Sequence, residues 1–249
     1  MTHQTPPHPF ALLTASKNRP LTVILAGVGG SGSRMALRLA ELHKGLRALG
    51  RPGLELLACD PKTVTQANLV RQTFYPCDVG LSKAETLITR LNLALGTRWQ
   101  GIMERAENVD FSGADLVVST LDSATSRIAL QGALQKSPAR ARYHLDLGND
   151  LDYGQWVLGG CGLPSPYEVL PKLLEPDSES DSPSCSALES LLRQDLYIND
   201  FVALYAAQLL WTLCLGGETR SRGGFFNLTS LSVAALPLPA VLTSAGKAA

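Results

Sequence analysis

The sequence predicts an α/β fold built on a doubly wound mixed sheet, with a parallel N-terminal half and antiparallel strands at the C-terminal side. Three observations carry this. A short apolar run, "LTVILA" at 21–26, ends at a cluster of glycines and is followed by helical periodicity. Short apolar segments then alternate with amphipathic ones as far as residue 148, and such alternation marks parallel strands joined by crossover helices. Finally, "YHLDLG" (143–148) and "YGQWVLGG" (153–160) are separated by a very short turn. A parallel crossover needs a dozen residues or more, so this pair must run antiparallel.

Each element can be justified in order. The run at 21–26 fits a buried parallel strand. From Ser31 to Leu49 apolar residues recur at three and four (Met35, Leu39, Leu42, Leu46, Leu49), which predicts a helix facing the sheet. Gly50 and Pro52 stop it. "LELLACD" (54–60) is the second strand, "KAETLITRLNLAL" (83–95) the second helix and "WQGIMERA" (99–106) a short strand. "ADLVVSTLD" (114–122) is a stronger strand, followed by a helix over 123–136 and the two strands already quoted. The order is Rossmann-like. Residues 161–185 carry Pro164, Pro166, Pro171, Pro176, Pro183 and the acidic run "EPDSESDS". They predict a long crossover loop, of a length usually found in functional or disordered segments. An apolar helix is predicted over Ala187–Leu215, and "GGFFNLTSLSVAALPLP" (223–239) as a last hairpin. Residues 1–20 read as a loose arm and 240–249 as a tail, leaving 21–239 as a single domain.

Composition narrows the function classes. The chain has 249 residues, 45% of them apolar, and a formal net charge of zero, so no charge excess draws it to nucleic acid or to an anionic membrane. No apolar run is expected to reach the ~18 residues of a membrane span, and the first residues do not resemble a signal peptide. The cytoplasm is the expected compartment. Five scattered cysteines, Cys59, Cys77, Cys161, Cys185 and Cys214, argue against a disulfide framework. Without a Cys-x-x-Cys pair, no zinc is expected.

The chemistry begins at "GVGGSG". Gly27, Gly29 and Gly32 give the spacing Gly-x-Gly-x-x-Gly, with Gly30 inside it, between a strand and a helix. Such a turn lets the backbone approach phosphate and presents the positive end of a helix. Asp60 closes the second strand, where an acid accepts hydrogen bonds from ribose hydroxyls; a solvated turn acid is the alternative. Up to this point NAD and ATP fit equally. The following loop favours ATP. A triphosphate calls for cations, and Arg71 provides a planar fork and Lys83 a compact charge. Asn68 and Gln72 add amide donors. Asp122 follows a parallel strand at its carboxyl end, where open sheets place ligands. A carboxylate facing a triphosphate would need magnesium; alternatively Asp122 caps the next helix.

These blocks resemble the ThiF/MoeB-like, ubiquitin-activating-enzyme superfamily of adenylyltransferases over roughly residues 21–160, and more loosely in the 185–215 helix. The resemblance rests on "GVGGSG", on "CDPKTVTQANLVRQ" followed by "DVGLSKAETLITRLN", and on "STLDSATSR". Through "YHLDLGN" and "PSCSALESLLRQDLYIND" the chain is most similar to the ThiF-like family of the PRTRC systems. The resemblance implies that Gly30 packs on the nucleotide phosphates and that Asp60 binds ribose. It makes Asn68, Arg71 and Gln72 contacts to triphosphate and base, Lys83 the phosphate-binding lysine, and Asp122 the acid that handles Mg2+. It also implies attack on the α-phosphate of ATP by the C-terminal carboxylate of a small ubiquitin-like protein ending in glycine, pyrophosphate release, and a homodimer. Cys185 corresponds to a junction where some relatives form a thioester or persulfide; a buried thiol is the alternative. Two other classes stay open: an NAD-dependent oxidoreductase on the same glycine turn, and a non-catalytic nucleotide-binding scaffold. Lys62 stands where the family usually has a second acid, and Arg19 is the one arginine before the glycines.

Overall fold

Leu21–Ala26 forms strand β1, which pairs in parallel with a neighbour on each side. The structure is a computed structural model describing residues 8–9, 19–137, 143–175, 194–216 and 218–239. After β1 come α1 (Gly30–Ala48), β2 (Leu54–Cys59), α2 (Lys83–Leu95), β3 (Gln100–Ile102), β4 (Leu116–Ser119) and α3 (Ala124–Lys136). They are followed by β5 (Tyr143–Asn149), β6 (Tyr153–Gly160), α4 (Ile198–Gly216), β7 (Ser221–Asn227) and β8 (Ser232–Pro237).

One eight-stranded sheet has the order β8-β7-β6-β5-β4-β1-β2-β3. The five strands from β3 to β5 are parallel, and β5 through β8 pair antiparallel. Strand order therefore reverses between β1 and β4. In open sheets of this kind the connections diverge there and leave a crevice at the carboxyl ends. The β5–β6 turn closes tightly, with the Asp150 N–H donating to the Tyr153 carbonyl at 2.8 Å.

Side chains of β1 alternate between two cores, as the period of a strand requires. Val23 and Leu25 join Met35 and Leu39 of α1 and Val202 and Leu210 of α4 on one face. Ile24 and Ala26 join Val117, Leu130 and Phe111 on the other. α1 ends at Gly50, whose φ of +73° favours glycine. α2 begins at the Ser82 cap and ends at Gly96, φ +67°.

Three expectations need correction. The helix expected from Ala187 begins, in the described residues, at Ile198. Gln194–Tyr197 form a bend and turn instead, because the Asp195 N–H bonds the Leu151 carbonyl at 2.9 Å and ties this segment to the β5–β6 turn. Second, Ile198–Leu215 is long and apolar enough to cross a membrane by length and composition, with mean hydropathy 1.4. It packs instead against α1, β5 and β6. Trp211 comes so close to α1 that a Cβ on Gly45 would lie 3.0 Å from its ring. Apolarity on several faces here reflects burial on several sides. Third, the first half of the expected loop is ordered structure. Ser165 caps a helical turn, Pro166–Val169, and a 3-10 turn follows at Pro171–Leu174. His8–Pro9 of the arm pairs with Glu218–Thr219; most of the arm, and the tail from 240, lie outside the described residues.

Candidate functional site

The four glycines of the first turn have different tasks. Gly27 has φ +94°, and a Cβ there would sit 3.0 Å from the Thr120 carbonyl and hydroxyl oxygens. A Cβ on Gly32 would lie 2.1 Å from the Gly27 carbonyl oxygen. A Cβ on Gly30 would lie 2.5 Å from Oδ1 of Asn199. Gly29 alone of the four has nothing within 4 Å of that position among the described residues. Three glycines therefore serve close packing, and Gly29 fronts space that no described residue fills. Gly30, the glycine that the resemblance places on the phosphates, packs against Asn199, whereas Gly29 does not meet a neighbour among the described residues. Gly29 is also the cap residue of α1, with no side-chain cap and no acid in the first turn. The helix thus presents uncapped N–H groups and its positive end to whatever lies there.

Asp60 is 5% exposed and is built into this turn. Its Oδ2 accepts the Val28 N–H at 2.7 Å, and its Oδ1 accepts the Lys62 N–H at 2.8 Å. Lys62 turns its ammonium to Oδ2 of Asp122 at 2.9 Å, and both side chains are open to solvent. Asp122 is not the helix cap: Ser123 takes that place, accepting the Ser126 N–H at 3.2 Å. Desolvation works against ionised Asp122, but the hydrogen bond and charge of Lys62, with the charge of Lys83, hold its carboxyl below the usual range. Lys83 is the first residue of α2, only 5% exposed. Burial pushes its ammonium down and the Lys62 charge adds to this, while Asp60 and Asp122 act the other way through charge alone. Asp60, Lys62, Lys83 and Asp122 thus form one cluster beside the glycine turn.

The remaining predicted residues sit on the loop between β2 and α2. Asn68 spends its Oδ1 on the Thr65 N–H at 2.9 Å, closing the 3-10 turn Gln66–Leu69. Arg71 donates to Oε1 of Gln194, and burial lowers its guanidinium from the ordinary value. Gln72 carries a buried Oε1 without a hydrogen-bond partner among the described residues. This part of the loop is joined to the glycine turn where the Thr73 N–H meets Oγ of Ser33 at 3.2 Å. The end of the loop is held by Asp78, which accepts the Tyr75 N–H and both pairs with and is bridged by Arg90 at 2.7 and 2.9 Å. That brace sets the start of α2 and hence Lys83.

Other residues emerge only in three dimensions. Oγ of Ser31, in the first turn of α1, lies 2.8 Å from Oδ1 of Asn149 and 3.0 Å from Oδ1 of Asn199. A motif search has no reason to join these, since they are 118 and 168 positions from Ser31. Behind them, the Ser119 hydroxyl bridges Nε2 of His144 at 2.7 Å and Oδ1 of Asp146 at 2.6 Å. All three are buried, and the serine, not the histidine, is central. This is a structural network rather than a nucleophile–base pair. Arg19, far from the turn, makes a bidentate pair with Asp115 at 2.6 Å, at the opposite ends of the strands. Cys185 lies outside the described residues. Cys59 and Cys214 are buried, whereas Cys77 is exposed.

No family model and no curated protein sequence matches the chain. Solved structures do. PaaA has a TM-score of 0.65 at 14% identity, over 91% of this chain and 66% of its own. E. coli MccB with ATP gives 0.61 at 17%, over 94% of this chain and 68% of its own. The microcin C7 biosynthetic enzyme MccB in complex with N-formylated MccA gives 0.62 at 16%, over 94% and 69%. The chain thus spans about two thirds of the length of each, and the similarity at these identities is one of fold.

Proposed function

We propose that this chain belongs to the ThiF/MoeB-like superfamily and is an ATP-dependent adenylyltransferase acting on the C-terminal carboxylate of a small ubiquitin-like protein. The observation that carries this is Lys83: an ammonium buried beside the open glycine turn, at a cost in desolvation, with no hydrogen-bonded carboxylate among the described residues to offset it. A bound polyphosphate supplies the missing charge. Gly29 and the uncapped end of α1 provide backbone donors for it. Asp60 keeps a second lone pair on each oxygen for ribose hydroxyls. The solved ATP complex of MccB supports placing ATP in this fold.

In the proposed reaction a carboxylate oxygen attacks the α-phosphorus. The α–β anhydride bond breaks, its electron pair leaves on pyrophosphate, and an acyl-adenylate forms. Lys83 and Arg71 offset the charge on the departing oxygens. No protein nucleophile is required for this step; a later thioester would fall to Cys185. The carboxylate must come within ~3–3.5 Å of phosphorus, and a tail ending in glycine has the slim profile for that. We further propose that the chain is a homodimer of the PRTRC ThiF-like type. The test is calorimetric titration with ATP and NAD, then incubation with ATP and a glycine-ending ubiquitin-like protein. ATP binding and a partner heavier by one AMP are expected. Preferential NAD binding overturns the assignment.

A further inference from the structure

A divalent cation held by protein needs several oxygen donors that face it together. The cluster has two carboxylates, and neither fits that task. Each oxygen of Asp60 already accepts a backbone N–H, from Val28 and from Lys62, and its remaining lone pairs are those assigned above to the ribose hydroxyls. Asp122 already faces a cation, the Lys62 ammonium at 2.9 Å. Lys83 places a second ammonium charge on the same two acids. Among the described residues there is no group of three or more His, Cys, Asp or Glu side chains that could hold a metal ion. A dication on Asp122 would displace Lys62 and also meet the positive charge of Lys83.

The backbone holds Lys62 in this place. Its N–H bonds Asp60 at 2.8 Å, and its carbonyl accepts the Lys83 N–H at 3.2 Å. Lys62 is therefore strung between the acid that shapes the glycine turn and the first residue of α2. Its side chain is 62% exposed and that of Asp122 is 75% exposed. A pair so exposed contributes little to folding, so exchanging the Asp122 oxygen for a phosphate oxygen costs the fold little.

We propose that Lys62 is the cation of this site: its ammonium meets the triphosphate beside Lys83, and Asp122 holds it there rather than holding a protein-bound metal. Any divalent ion then arrives on the nucleotide. This rests on ATP binding as proposed above. It makes Lys62 a positioning and charge-compensating residue whose loss shows most when no divalent ion is present.

The test is calorimetric titration of the full chain with ATP, in EDTA and again in magnesium chloride. The wild-type protein, Lys62→Ala and Lys62→Asp are compared, with a thermal melt of each as a folding control. The wild type is expected to bind ATP in EDTA within about tenfold of its affinity in magnesium. Lys62→Ala is expected to lose about tenfold or more in EDTA, the contribution of one charged hydrogen bond, and distinctly less in magnesium. Lys62→Asp should bind only with magnesium. A wild type that binds in magnesium but loses more than about a hundredfold in EDTA overturns the proposal. So does an EDTA-to-magnesium ratio unchanged in Lys62→Ala. Folded wild type that binds ATP in neither buffer overturns the ATP assignment itself, which is a distinguishable failure.

Discussion

Oδ2 of Asp60 accepts the N–H of Val28 at 2.7 Å, across 32 positions of sequence, and so links the end of β2 to the glycine turn. The second oxygen takes the Lys62 N–H. Asp60→Ala leaves two backbone donors without their acceptor, a loss of ~1–3 kcal/mol for a buried group. Urea denaturation should record that loss, and calorimetry should record a drop in ATP affinity in protein that is still folded. Unchanged ATP affinity would separate the turn from the nucleotide.

Gly29 and Gly32 should respond in opposite ways to the same substitution. A Cβ on Gly29 meets nothing within 4 Å among the described residues, whereas one on Gly32 would lie 2.1 Å from backbone. Gly29→Ala is expected to keep the wild-type melting temperature and weaken ATP binding. Gly32→Ala is expected to cost at least the ~1–3 kcal/mol typical of overpacking. A destabilised Gly29→Ala with normal ATP affinity would contradict the division of roles drawn here.

Asp78 supplies a pH-dependent part of stability. Burial works to raise its pKa, but the Tyr75 N–H and the Arg90 guanidinium outweigh this and hold the carboxyl below its ordinary value. A depressed folded value means that the stabilisation is complete above the unfolded value of ~3.9 and is lost as pH falls through the lower folded one. Asp78→Asn should therefore be less stable than wild type at neutral pH. In denaturation series the difference should shrink on acidification below the unfolded value. A constant difference across that range would mean the brace does not depend on charge.

The thiols divide by burial. Burial pushes Cys59 up to about 12 and Cys214 up to about 11, and Cys77 is exposed. Alkylation of native protein at neutral pH, read by peptide mass mapping, should label Cys77 and spare Cys59 and Cys214 until the chain is unfolded. Rapid native labelling of Cys59 would mean that β2 opens readily.

Much of this architecture was legible because it follows local periodicity. α2 and β6 have the bounds that the sequence predicts, Lys83–Leu95 and Tyr153–Gly160, since each is amphipathic or apolar between clear stop signals. The start of α4 was not legible. What ends the preceding turn is a backbone bond from Asp195 to Leu151, and backbone partners leave no mark in side-chain pattern. The glycine spacing pointed to the turn, but not to which glycine faces outward. That depends on Asn199 and Thr120, which arrive from distant elements. In the same way Lys62 was visible as a departure from pattern, but its hold on Asp122 is a tertiary contact.

Self-association should involve α4. Phe201, Leu204 and Leu215 are 41%, 52% and 45% exposed on a helix whose other faces are buried. Light scattering is expected to give the mass of a dimer at micromolar concentration, and Leu204→Lys to reduce it to that of a monomer. A wild-type monomer at high micromolar concentration would contradict the proposed homodimer.

The central claim is that carboxylate activation by ATP takes place at the cluster beside the glycine turn. ATP–pyrophosphate exchange, run with a glycine-ending ubiquitin-like partner, tests it most directly. The wild-type protein should catalyse exchange that requires the partner's free carboxylate. Lys83→Ala should lose ~10²–10³ of that rate, as expected for one preorganised charge contact, while keeping its fold. Exchange by Lys83→Ala at the wild-type rate would contradict the account.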